Sequence, residues 1–124
     1  MKADKKLVVA ANMNLTDAEA KGFWPLDESY QKELDQINQR LGATIGSYAD
    51  AHRAGKGMMP NETAKKLLKE ALASEEVEVK LRQAYAAKLE KTLPATKVAR
   101  YLQIENKIRA ILKFELAQGI PLVR

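Results

Sequence analysis

Apolar residues recur every three or four positions through three long stretches of this chain. The first stretch carries Phe23, Leu26, Tyr30, Leu34, Ile37, Leu41, Ile45 and Tyr48. Those steps trace one face of an α-helix, so the spacing predicts a single long amphipathic helix over 16–54. Thr16 followed by Glu19 supplies a capping box at its start, with Leu15 placed to staple against the first turn. Pro25 lies beyond the first turn, where proline is tolerated. Its ring is expected to displace the carbonyl of Lys21 and kink the helix, with Gly22 easing the bend. Gly55, Gly57 and Pro60 end the stretch.

A second stripe, Leu67, Leu68, Ala71, Leu72, Val79, Tyr85, Ala86 and Leu89, predicts a helix over 61–92. Asn61 is expected to cap it, and Glu62 to favour its dipole. Pro94 disfavours a helical Leu93 and suits the first turn of a third helix, 94–118. That helix carries Val98, Tyr101, Leu102, Ile104, Ile108, Ile111, Leu112 and Leu116, and it ends at Gly119 and Pro121. Residues 1–14 read as an N-terminal arm. The expected fold is a single all-α domain of three main helices, with a long kinked first helix, arranged as a helical hairpin or bundle.

Composition agrees with this pattern. Of 124 residues, 46% are hydrophobic and 30% charged, with six glycines and four prolines, which is too little turn chemistry for a strand-rich fold. The absence of cysteine excludes disulfides, thiolate metal ligands and cysteine nucleophiles. The net charge of +5 raises nucleic acid or an anionic surface as partners. Lysines and arginines are spread among acids in every segment, however, as on a solvated helical surface. No apolar run approaches the ~18 residues of a membrane span, so membrane insertion is not expected.

Several charges fall on the apolar faces. Glu75, Glu78 and Arg82 lie within the stripe of the second helix, and Glu105 and Arg109 within that of the third. Glu78–Arg82 and Glu105–Arg109 are each spaced i,i+4, which lets each pair meet along one helix. A charge taken out of water needs a partner, so these five residues are expected to form a structural ion network between the two helices. Clustered glutamates also raise a metal site. A di-metal carboxylate bundle normally uses two Glu-x-x-His motifs, and this chain has one histidine, His52, outside any such motif. No metal or other cofactor is therefore expected. The chain also has no phosphate-binding glycine loop, no nucleophile elbow and no His-based nucleophile pair, so no enzymatic activity is expected.

Trp24 falls to one side of the first helix's main stripe, on roughly the side of Gly42 and Gly46. Two expectations follow. The C-terminal "ELAQGIPLV" folds back over the tryptophan, or this side of the helix is a surface for self-association or for a client.

"NLTDAEAKGFW" and "LPATKVARYLQIENKI" resemble the paired L-T-x-x-Q elements of Spy/CpxP-type periplasmic helical proteins. Leu15, Thr16, Asp17 and Ala18 fit the first element, with Glu19 in the place of glutamine. In the second, Leu93-Pro94 stands for Leu-Thr and Lys97 for glutamine. The wider pattern is also similar to small secreted proteins of proteobacteria. The resemblance implies a periplasmic location after removal of an export signal, a helical hairpin-like fold, a homodimer, and a role in envelope stress, chaperoning or metal response. The expected function is a non-enzymatic interaction protein with an unfolded-protein client. Its rivals are metal binding through the glutamates of the second and third helices, and nucleic-acid binding driven by the net charge.

Overall fold

The computed structural model describes residues 2–124, and side-chain surroundings from Asp4 onward. The chain folds into four helices: α1 (Lys2–Met13), α2 (Asp17–Ala54), α3 (Asn61–Glu90) and α4 (Ala95–Gly119). No strand occurs among the described residues. The all-α bundle is therefore present, with four helices where three were expected. The addition is α1, in the segment read as an arm. Lys5, Val9 and Met13 share one face at i, i+4 and i+8, and Val9 and Met13 are 1% and 0% exposed. Among the described residues, two apolar side chains and a lysine make that face, while Leu7 and Val8 lie outside it and remain exposed. A run of adjacent apolar residues hides the helical period. Asn14, in the left-handed region at φ 50°, ends α1 and turns the chain into α2.

The capping box of α2 forms. The Glu19 amide donates to Thr16 Oγ1 at 3.2 Å, and the Thr16 amide donates to Glu19 Oε1 at 2.9 Å. The helix continues through Pro25 as one element. Gly22 has a role other than easing a bend. A Cβ there would lie 2.4 Å from Thr92 Cγ2, so a bare backbone lets the α3–α4 corner press against α2. Both later helix starts differ from expectation by one residue. Pro60 takes the cap position of α3, and Asn61 is its first residue with no side-chain cap bond. Pro94 likewise precedes α4 at the cap position rather than entering the first turn.

Successive helices reverse direction, so α2 packs on α3 and α3 on α4, while α1 returns along α4. Val9, Met13, Phe23, Tyr30, Leu34, Tyr85, Leu89, Leu93, Val98 and Tyr101 form one core. Edge-to-face pairs, Phe23–Tyr101 at 5.0 Å and Tyr30–Tyr85 at 5.3 Å, lock it. This core is confined to one end of the bundle. In the other half, among the described residues, the side chains buried on α3 and α4 are Ser74, Glu78 and Arg109. The bundle is thus closed at the end that α1 covers and loosely filled at the end where α2 turns into α3.

Candidate functional site

The loosely filled end contains a cleft of about 400 Å³ between the second half of α2, the first half of α3 and the last turns of α4. Ile37, Leu41, Ile45 and Tyr48 of α2 line it at steps of four, four and three. Leu67, Ala71 and Ser74 face them from α3, and Leu116 from α4. These are the same helical stripes that close the core at the other end. Here small residues, Ala71 and Ser74, stand where larger ones would have filled the seam.

Charge floors the cleft. Arg109 Nε donates to Glu78 Oε1 at 2.7 Å and Nη2 to Oε2 at 3.2 Å, a two-pronged pair joining α4 to α3. Arg109 Nη1 also donates to Asn38 Oδ1 of α2. Lys113 Nζ donates to Glu78 Oε2 at 3.0 Å. Burial opposes the ionised Glu78, but Arg109 and then Lys113 outweigh it and hold the carboxyl below its ordinary value.

A second buried polar cluster lies one layer closer to the core. Tyr101 donates its hydroxyl to Asp27 Oδ1 at 2.6 Å. Gln31 Nε2 donates to Asp27 Oδ1 at 3.2 Å and to Glu105 Oε1 at 2.9 Å. Lys5 of α1 donates to Gln31 Oε1 at 2.7 Å, and its ammonium sits 2.5 Å from Glu105 Oε2. Burial pushes the Glu105 carboxyl above its ordinary value, and Lys5 offsets only part of that effect. The Tyr101 hydroxyl is driven well above the usual phenol range by burial and by the Glu105 and Asp27 carboxylates.

The five expected network residues separate into four settings. Glu78 and Arg109 meet directly, and Glu105 belongs to the Lys5 cluster. Arg82 is half-buried and donates to Asn106 Oδ1 at 3.3 Å, while Glu75 is exposed on the cleft rim. The i,i+4 pairs Glu78–Arg82 and Glu105–Arg109 give way to pairs across helices, because these side chains point into seams where a neighbouring helix offers the nearer partner. The partners not foreseen are Lys5, Asp27, Gln31, Asn38, Tyr101, Asn106 and Lys113. Asp27, Gln31, Leu34 and Asn38 follow each other at steps of four, three and four, so polar residues on the buried stripe were the available signal.

Trp24 lies at the opposite end from the cleft. It is half-buried, packs edge-on to Phe23 at 4.9 Å, and carries Lys6 of α1 over its ring at 5.0 Å. α1 covers it, so the expectation that the C-terminal segment does so is overturned. That segment crosses the other end of the bundle, where Tyr48 donates its hydroxyl to the Pro121 carbonyl. Gly42 and Gly46 face open space, with nothing within 4 Å of a Cβ built on either. His52 stacks on Tyr48 at 6.1 Å in the last turn of α2.

Among the described residues, no three histidine or acidic side chains converge as a metal-ligand set. No helix among them is long and apolar enough to cross a membrane. Glu19 and Lys97 form an ion pair of 2.5 Å, and Lys97 also donates to the Asn14 carbonyl at 2.8 Å. No family model, curated protein or solved structure matches the chain.

Proposed function

We propose that this is a non-enzymatic helical interaction protein that holds an apolar segment of a client in the cleft between α2, α3 and α4. The observation that carries the reading is the cleft itself, about 400 Å³ of aliphatic-lined space left open at the end of the bundle away from α1. Among the described residues, each buried charged side chain has a side-chain partner, Asp27 with Tyr101, Glu105 with Gln31 and Lys5, and Glu78 with Arg109, which suits a scaffold better than a reaction centre. The resemblance to Spy/CpxP-type proteins supports a periplasmic setting and a chaperone-like or envelope-stress role.

The test is suppression of client aggregation, followed by light scattering of a heat-unfolding client protein with and without this chain. The wild type suppresses scattering. Ile45→Asp, which places a charge in the cleft wall, abolishes suppression, and Trp24→Ala at the far end retains it. Equal suppression by wild type and Ile45→Asp would remove the cleft from the function. Loss of suppression only in Trp24→Ala would move the site to the face shared by Trp24, Gly42 and Gly46.

A further inference from the structure

The C-terminal segment after α4 is held on the cleft in a particular way. Ile120 is extended, at φ −102° and ψ 114°, as expected for a residue that precedes proline. An extended chain with a proline at Pro121 favours the polyproline conformation, whose three-residue repeat puts positions i and i+3 on the same side. The structure shows that pattern. Ile120 and Val123 both line the cleft, while Leu122 between them is 87% exposed. The segment's main chain is held at two points. Tyr48 donates to the Pro121 carbonyl, and the Met59 amide donates to the Arg124 main-chain oxygen at 3.3 Å. Both contacts use backbone groups that any peptide has. The segment fills the cleft only in part. Ile120 and Val123 remain 37% and 53% exposed, and about 400 Å³ stays open beneath them.

We propose that the cleft is a binding site for an extended, proline-containing peptide with aliphatic side chains three residues apart, and that Ile120–Arg124 occupies it in cis as a displaceable strap. The proposal rests on the reading of the cleft as the client site and names the chemistry of what it takes. Aliphatic side chains of the partner enter between Leu41, Ile45, Leu67 and Leu116, and Tyr48 and the Met59 amide hold its backbone. Because the strap is tethered, it competes at high effective concentration. A partner then gains access in proportion to the time the strap is off.

The probe is a fluorescein-labelled peptide of residues 118–124, Gln-Gly-Ile-Pro-Leu-Val-Arg, titrated by fluorescence anisotropy. It is added to the full chain, to the full chain with Ile120→Asp and Val123→Asp, and to a chain ending at Gly119. The two altered chains bind saturably and roughly tenfold more tightly than the full chain, as expected for a strap in place about nine-tenths of the time. A peptide with aspartate at both aliphatic positions does not bind, and Ile45→Asp abolishes binding in every chain. If the shortened chain loses its fold, the double aspartate variant, altered only at exposed positions, carries the test alone. The proposal is overturned if the double variant keeps its melting temperature yet binds no more tightly than the full chain. A concentration-dependent dimer that disappears with the double substitution overturns it too, because the strap then belongs to a second copy. If Ile45→Asp still abolishes client suppression after a negative peptide result, the client site stands and only the peptide chemistry fails.

Discussion

Glu78 stays ionised out of water because Arg109 and Lys113 share it. Removing one member exposes the cost of the others. Arg109→Ala leaves a shielded carboxylate facing only Lys113 and is expected to cost ~3–5 kcal/mol in urea unfolding. Replacing both charges, with Glu78→Met and Arg109→Leu, is expected to recover most of that loss, since a well-packed apolar pair carries no desolvation cost. A double variant as unstable as the single one would sink the pairing argument. The two buried glutamates also titrate with opposite sign. Glu78 is held below its ordinary value of 4.5, so its contribution is full above that value and is lost as pH falls through its folded value. Glu105 is raised above 4.5, so the folded state binds more protons just above that pH and stability is lost as pH rises through its folded value. The melting-temperature gap between wild type and Glu78→Gln should therefore shrink from about pH 6 toward about pH 3. The gap for Glu105→Gln should shrink in the other direction, from about pH 4 toward about pH 7. Gaps that move in parallel would contradict the two environments. The sequence showed that Glu78, Glu105 and Arg109 lie on apolar arcs. It did not show their partners, because Lys5, Gln31 and Asn38 come from helices whose relative rotation only packing sets.

At the level of elements, the periodic stretches were legible and the short one was not. α2, α3 and α4 advertise themselves by long stripes, and the α2 capping box by Thr16 and Glu19. The helix α1 shows too few buried positions among its described residues to reveal a period, and its stability comes from docking rather than propensity. That dependence makes a prediction. Met13→Ala removes a fully shielded side chain at the joint between α1, α2 and α4, and is expected to cost ~2–5 kcal/mol. Leu7→Ala, on the exposed face of the same helix, should change stability by less than about 0.5 kcal/mol. Equal effects would mean that α1 does not dock by the Val9–Met13 face. The cap of α3 falls on Pro60 rather than the expected Asn61, and Pro94 caps α4 rather than entering its first turn. Proline suits both the cap and the first turn, and only the backbone geometry distinguishes them.

Across the whole molecule, stability should follow the distribution of the core. The α1 end holds the aromatic cluster and the capping box, and the cleft end holds small residues, an open volume and the strap. Local opening is easiest where few apolar contacts oppose it. The amides of 40–54, 62–72 and 110–119 should therefore exchange with deuterium ahead of those of 23–34, 85–90 and 98–105, by more than the fraying of the helix ends in the Gly55–Pro60 turn accounts for. Leu67 sits a full turn inside α3, and Ile45 more than two turns inside α2, so their amides distinguish cleft opening from fraying. Binding of the 118–124 peptide to the double aspartate variant fills the open volume and adds contacts at that end alone. Protection should then rise at residues 41–48 and 64–71 and stay unchanged around Phe23, Tyr85 and Tyr101. Uniform protection across the bundle before peptide is added would mean that the cleft end is as cooperative as the core, and the polarity inferred from burial would not govern the dynamics. A rise spread evenly over all four helices would show that the peptide stabilises the fold globally instead of filling the cleft.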